Sequence, residues 1–474
     1  MSRAWDRRTS EYQRTLQGRA WQAFAPVAFG LSPFYRERFL AAGLNPRKTN
    51  QMGDLAGLEP VTERDLLMAS KEPGDAALLV ATENLISEWG ERRALYRNVL
   101  AGIRGGIEGR QRDMEAEYKP FHVHLAGREG LFPVAYTRWD LNLLARAGAR
   151  MLAVAGVSRQ DRVVSVVPFG PTLSFWGIYY SMHGLGAAAL HTGGLDSTDW
   201  AGAAKALRPT VLVATVDDVP AAVQSLAAAG GGADLRTVLT VGAPLAPSDR
   251  AHLAVAVTTS GLSARVVGTY HVPEGRVIWA ECRPPDSASS TESFGYHGYP
   301  DLEVIEVLDH ETGRPVPQGT PGELAYTGLD WRGTCLIRYR TGDLVTGGMT
   351  ERACPNCGRL VPRLSPSITP AAWQVELAPH GHKLDLRGYG AALAARPDLE
   401  AWRVEIVRGR SGDQVVVHVA TRGEGSPAVL AEIHEALEKR GGVAPTQIIL
   451  GSREEVEAGM AAGVSPTRLR DRRR

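Results

Sequence analysis

Between residues 10 and 70 apolar side chains recur at helical spacing, with Leu16, Trp21 and Phe24 followed by Phe34, Tyr35, Phe39 and Leu40, broken by Gly43 and Pro46. The pattern predicts an all-helical entry segment. From about 140 to 270 it changes to short apolar runs, at 163–167, 187–190, 211–214 and 238–241, separated by Ala-rich stretches of helical character. Strand-length runs alternating with helices predict a parallel sheet with crossover helices. Over 301–345 polar and apolar residues alternate more strictly and turns are denser, which predicts a mostly antiparallel β subdomain. Pro366, Pro370 and Pro379 then punctuate a linker. Beyond it, two strands at 402–407 and 415–420 flank a Gly-rich turn at 409–412. A helix at about 426–440 and a strand at 448–450 complete a small ββαβ lobe. The expected fold class is therefore α/β. A large multi-subdomain N-terminal region, 1–363, combines parallel sheets and helices with a β subdomain, and a small α+β lid-like lobe covers 364–474.

Composition narrows the classes of function without choosing one. A chain of 474 residues with 44% hydrophobic and 22% charged residues has the make-up of an enzyme-sized globular protein. With 53 basic and 52 acidic side chains the net charge is +1, so no global field draws nucleic acid or an anionic membrane. No run of about 18 apolar residues and no secretory signal is visible, and a cytoplasmic location is expected. Four cysteines are too few for a disulfide framework at this length. The basic end, Arg468 to Arg474, reads as a solvated tail.

The clearest motif is Ile337-Arg338-Tyr339-Arg340-Thr341-Gly342-Asp343-Leu344. Taken alone it could be a strand-to-turn junction with Gly342 at positive φ. It stands, however, in an ordered series. Ser32-Pro33-Phe34-Tyr35-Arg36-Glu37-Arg38-Phe39 comes first, then Pro209-Thr210-Val211-Leu212-Val213-Ala214, then Gly322-Glu323-Leu324, and Cys354-Pro355-Asn356-Cys357-Gly358-Arg359 follows it. Over nearly the whole chain this series resembles the phenylacetate-CoA ligases, a branch of the adenylate-forming (AMP-binding) superfamily.

The resemblance implies ATP-dependent activation of a carboxylic acid, with Mg²⁺ on the phosphates and transfer of the acyl group to CoA or another acceptor. Asp343 then takes the ribose hydroxyls, and Arg340 or Arg338 meets phosphate, braces Asp343 or forms a structural ion pair. In Tyr270-His271-Val272-Pro273-Glu274 the ring of Tyr270 would lie against adenine. Glu274 would stand near the metal or serve as a surface carboxylate, with Glu281 as the alternative acid. The phosphate loop corresponds to 125–133, where Gly127 and Gly130 remain, every hydroxyl is gone, and Arg128 and Glu129 lie between. Its alternative reading is a tight structural turn. The last lysine is Lys439; Ser465 stands where the family has its catalytic lysine, and Arg468 is the candidate substitute.

Phe169, Gly170 and Trp176 fall where the family lines its acyl pocket, although aromatics at helical spacing also build cores. An aryl or arylacetic acid is the implied substrate. Cys354 and Cys357 have the spacing of a zinc knuckle; Cys282, by resemblance, and His297, chosen ahead of the strand residue Cys335, complete a structural Zn²⁺ site, with an unmetallated or redox-active pair as the alternative. The expected partners are a small-molecule carboxylic acid and a second copy of the chain or a biosynthetic partner protein, with neither nucleic acid nor membrane. A catalytically degenerate homologue, acting as a ligand-binding or protein-interaction scaffold, is the competing function.

Overall fold

The computed structural model describes residues 5–48, 51–69, 103, 106–109, 111–112, 114–127, 132–195, 199–285, 292–371, 374–379, 381–394, 396, 398–423, 425–458 and 469–472. The chain divides into two compact units, Met1–Ile368 and Thr369–Arg474. Among the described residues no helix is long and apolar enough to cross a membrane.

The entry segment is helical as its periodicity predicts. Helix Ser10–Leu31 starts at Thr9, whose hydroxyl accepts the Tyr12 amide, and helix Pro33–Ala41 starts at Ser32, capping the Tyr35 amide, with Pro33 in the first turn. Trp21, Phe24, Phe29 and Phe39 are buried in the main core together with Tyr339 of the signature motif. Backbone bonds from Val61 N to Arg338 O (2.9 Å) and from Arg340 N to Val61 O (2.8 Å) fasten the segment that follows these helices to that motif.

Strands β1 (Pro120–Ala126) and β2 (Phe132–Thr137) pair antiparallel. Next come β3 (Arg162–Ser165), β4 (Ala188–His191), β5 (Val211–Thr215), β6 (Thr237–Val241) and β7 (Arg265–Tyr270), joined by parallel pairings in the order β4-β3-β5-β6-β7. Helices cross between successive strands, as the alternating runs predict, and β5 and β6 are almost wholly buried because both faces are covered. The sheet then continues antiparallel through β8 (Trp279–Glu281) and β9 (Tyr296–His297). This extension is not visible in the hydrophobic pattern, because strands of two or three residues carry no measurable period.

A second sheet holds the predicted antiparallel meander of β10 (Glu303–Leu308), β11 (Gly322–Gly328) and β12 (Tyr339–Val345). Strands β13 (Met349–Thr350) and β14 (Arg363–Leu364) return to pair beside β9. Helix Arg138–Val154 begins with a capping box in which Thr137 and Asp140 satisfy each other's amides. Buried Asp140 also accepts from the amides of Arg332 (2.8 Å) and Gly333 (2.7 Å), so this helix start anchors the loop before β12.

In the second unit, strands Leu399–Arg408 and Asp413–Thr421 pair antiparallel, and helix Pro427–Gly441 covers them. Strand Gln447–Leu450 joins one edge and Leu469–Arg472 the other, both parallel. The additional hairpin Gln374–Leu377 with His382–Asp385 lies within the stretch that prolines mark as a linker.

Candidate active site

Strands β3 to β7 all point their carboxyl ends to one edge of the sheet, where open α/β sheets bind their ligands. The turns leaving these strands lie together there. Phe169 N donates to Gly193 O at 3.0 Å, joining the turns after β3 and β4, and Leu125 N donates to Pro171 O at 2.7 Å, which brings β1 beside them. The Tyr270-to-Glu274 segment leaves β7 at the same edge and closes with Gly275 N on Val272 O at 2.8 Å; Tyr136 of β2 donates to Gly275 O at 3.2 Å.

Tyr270 and Asp343 are in direct contact. The phenol donates to Asp343 Oδ2 at 2.5 Å, and the two residues are 2% and 1% exposed. The Tyr270 ring packs against Trp279 and Tyr296, with centroids 5.4 and 5.7 Å away. Asp343 is held from behind by Thr341 Oγ1, which accepts its amide at 3.1 Å. Glu274 is buried, so it is not a surface carboxylate. Glu281 is sealed in a buried ion pair with Arg250 and also accepts from Gly268 N at 2.8 Å.

The two arginines of the motif are tied to acids of the β10–β12 sheet. Arg340 binds Glu323, which in turn accepts the Gly342 amide at 3.1 Å, so the pair steadies the turn leading to Asp343. Arg338 binds Glu306 at 3.2 Å and takes a positive φ of 49°. Gly127 takes a φ of 118°, a backbone conformation that favours glycine, whereas Gly130 and Arg468 lie outside the described residues.

On the other side of the edge, helix Leu173–Leu185 carries the aromatic run. Phe169 stands edge-on to Phe175 (5.2 Å) and Trp176 (5.8 Å) and is 67% exposed, while an added side chain at Gly170 would meet nothing within 4 Å. Three histidines that the sequence reading did not single out as ligands line this region. His122 and His124 of β1 lie 4.5 Å apart by ring centroid, with His122 against Trp176 and His124 against Tyr136. Burial pushes the His124 imidazole down to about 3 and that of His271 to about 4, so both are neutral. The alternation of His122 and His124 along β1 was the available signal: residues two apart in a strand share a face.

Cys282, His297, Cys354 and Cys357 come together with their ligand atoms within 4.8 Å of one another. Cys282 Sγ lies 3.7 Å from Cys354 Sγ, and Cys357 Sγ lies 3.3 Å from His297 Nε2. A tetrahedral zinc with Zn–S near 2.3 Å has S···S edges of about 3.8 Å. The donor set and its spacing therefore fit that ion. Around it, His297 Nδ1 faces Ala280 O at 3.3 Å, leaving Nε2 for a metal, and Asn356 Nδ2 reaches both Cys282 Sγ (3.1 Å) and Arg283 O (2.9 Å). Hydrogen bonding from Cys282, with the His297 ring alongside, holds the Cys357 thiol down at about 7. Cys335 is apart in the core, where burial pushes its thiol up to about 12.

Comparison with known proteins agrees with the motif reading. Residues 140–330 match the family model described as AMP-binding enzyme. The chain is 28% identical over 239 residues to phenylacetate-coenzyme A ligase of Thermus thermophilus, an alignment covering 50% of this chain and 51% of that protein. It is 24% identical over 333 residues to the Escherichia coli enzyme of the same name, covering 70% and 65%. The chain thus spans about half the length of the first relative and just under two thirds of the second. Among solved structures, 2-hydroxyisobutyryl-CoA ligase in the postadenylation state with 2-HIB-AMP superposes at a TM-score of 0.72 and 20% identity, over 99% of this chain and 91% of that one. That likeness shows a shared fold.

Proposed function

We propose that this chain, with its AMP-binding fold and its phenylacetate-CoA ligase relatives, activates an aryl or arylacetic acid with ATP and passes the acyl group to CoA or another acceptor. The observation that carries the reading is the contact between Tyr270 and Asp343. Two residues 73 positions apart, each implied to hold one half of adenosine, meet at the carboxyl edge of a parallel sheet. In this reaction the substrate carboxylate attacks the α-phosphorus of ATP, forming the acyl-phosphate bond and expelling pyrophosphate. The acceptor thiol or amine then attacks the acyl carbon and releases AMP.

The chain's own contributions are positional. Asp343 accepts from the ribose hydroxyls once Tyr270 yields its hydrogen bond, the Arg340–Glu323 pair keeps the turn before Asp343 in place, and Glu274 would supply a carboxylate to hold Mg²⁺, an ion that would offset phosphate charge. Gly127 lets the backbone entering the loop approach phosphate. Phe169, Gly170 and Trp176 receive the ring of the acid.

A second reading, a homologue that binds ligand without adenylation, is favoured by one feature. Asp343, Tyr270 and Glu274 are each at most 2% exposed, so the nucleotide must displace existing contacts to reach them. ATP–pyrophosphate exchange with a panel of aryl acids, paired with calorimetric ATP titration, separates the two. Exchange establishes the ligase, and ATP binding without exchange establishes the degenerate homologue. The cluster of three cysteines and His297 is proposed to hold a structural Zn²⁺ that fastens strands and takes no part in acyl transfer.

A further inference from the structure

Behind the β1–β2 hairpin the structure encloses a positive charge that no acid answers. Arg276 is 1% exposed. It donates to Ala135 O at 2.9 Å and to Thr334 O, and its guanidinium carbon stands 4.3 Å over the Tyr136 ring and 5.0 Å over that of Trp331. Its Nε is enclosed and has no hydrogen-bond partner, and among the described residues no carboxylate pairs with it. Arg250, Arg332 and Arg338 are as deeply buried, and each is paired with a glutamate: Glu281, Glu117 and Glu306. Carbonyls and ring faces offer Arg276 partial negative charge, whereas a buried permanent cation ordinarily takes a full counter-charge.

Unpartnered nitrogens lead from that charge toward the aromatic wall. On the inward face of β1, His124 is wholly buried with neither ring nitrogen bonded, and His122 Nε2 is likewise unpartnered. Ring contacts run without a gap from the wall: Phe169 to Trp176 at 5.8 Å, Trp176 to His122 at 4.7 Å, His122 to His124 at 4.5 Å and His124 to Tyr136 at 4.7 Å. Arg276 lies over the last ring of this series. His122 is half-buried, so the series is open beside the wall and closed at Arg276. An acid whose ring rests on Phe169 and Trp176 therefore has these two imidazoles within reach of its carboxyl group.

The charge decides what the nitrogens receive. A neutral imidazole offers one N–H and one lone pair, so the histidines by themselves admit neutral and anionic ligands alike. Arg276 breaks that tie. A neutral ligand leaves its charge unanswered and an ammonium adds to it, whereas an oxyanion compensates it in a low-dielectric interior. We infer that His122 and His124 seat the carboxylate of the acid, with Arg276 behind them supplying the charge that selects it. The two histidines are contacting residues and Arg276 is a positioning residue. The inference rests on the acid-activating reading above and assigns the seat of the reacting carboxylate.

The test titrates the full chain calorimetrically with benzoate and phenylacetate, with the neutral isosteres benzamide and phenylacetamide, and with AMP and pyrophosphate. ATP–pyrophosphate exchange is run with the two acids. Hydrogen bonds to an ionised acceptor are about twice as strong as neutral ones, so the better acid is expected to bind at least about tenfold tighter than its amide. Arg276→Met should bring that ratio close to one while amide binding holds, a pattern that loss of structure would not produce, and Arg276→Lys should keep most of it. If Arg276→Met does not fold, as read by circular dichroism, His122→Phe at the half-buried end of the series decides in its place, with a fall in the ratio of about threefold or more expected. A wild-type ratio near one, or a ratio that the deciding variant leaves unmoved, overturns the inference. Loss of AMP or pyrophosphate affinity in that variant with acid affinity unchanged makes phosphate the anion and also overturns it. A ratio lowered as expected, without exchange with either acid, overturns the ligase reading and leaves the inference standing. Exchange with an unmoved ratio overturns the inference alone, and absence of both acid binding and exchange overturns both.

Discussion

At Asp343 a single carboxylate serves two partners in turn. In the structure its Oδ2 takes the Tyr270 phenol; in the proposed reaction it takes ribose. A hydrogen bond to a charged acceptor is worth about 1.5–3 kcal/mol, so Asp343→Ala is expected to weaken ATP binding by roughly ten- to a hundredfold, measured by calorimetry. Unchanged affinity would remove Asp343 from the nucleotide site. Behind Tyr270, Trp279 donates its indole N–H to Glu303 at 2.7 Å, and Glu303 also accepts the Tyr299 amide at 2.8 Å. Burial pushes the Glu303 carboxyl from its ordinary 4.5 up to about 8. Between those values the folded protein keeps a proton that the unfolded chain has lost, so stability falls as pH rises through that window and levels off above it. Glu303→Gln, which stays neutral, is expected to flatten the dependence of the urea midpoint on pH across that window. A wild-type midpoint that rises over the same range would contradict the assignment.

At the scale of elements, the aromatic wall owes its position to the packing of helix Leu173–Leu185 on helix Arg138–Val154. These helices approach closely because glycines face the contact: a Cβ on Gly184 would stand 2.2 Å from Ala145 O, and one on Gly148 would stand 2.0 Å from Ser181 Oγ. The backbone oxygen at Gly184 cannot swing aside as a side chain would. Gly184→Ala is therefore expected to lower unfolding stability by about 1–3 kcal/mol in urea titration, through displacement of the helix. It should also weaken acid binding, since Phe175 and Trp176 move with that helix. A stability change under about 0.5 kcal/mol would show that the helices separate freely.

At the scale of the whole molecule, the cysteine and histidine cluster joins segments distant in sequence. Cys282 follows β8, His297 is in β9, and Cys354 and Cys357 form the turn between β13 and β14. Arg359, next to that turn, binds Asp6 at 2.7 Å, and Leu360 N donates to Asp6 O at 2.7 Å, which ties in the chain's beginning. One ion would thus fasten the antiparallel extension of the large sheet and the start of the entry segment. Elemental analysis is expected to find about one zinc per chain, lost in Cys354→Ser, with the thermal midpoint falling by several degrees in that variant and on chelation. Stoichiometric zinc retained in Cys354→Ser would refute the ligand set.

Much of this organisation was legible before the structure, wherever a pattern repeats over enough residues. The helical entry, the parallel core strands, the meander around 301–345 and the terminal ββαβ elements all follow from periods of 3.6 or 2. Short strands such as β8, β9, β13 and β14 do not, because two or three residues hold no period and their pairing partners lie far along the chain. Chemistry divides in the same way. The sequence by itself determined the identity and order of Tyr270, Glu274, Asp343 and the two close cysteines, since each motif is local. Only the tertiary structure decided that Arg340 is engaged by Glu323, that Glu281 is sealed by Arg250, and that Ser174 meets His271. Each of those partnerships depends on which strand ends share an edge, a property of the folded sheet that local spacing does not carry.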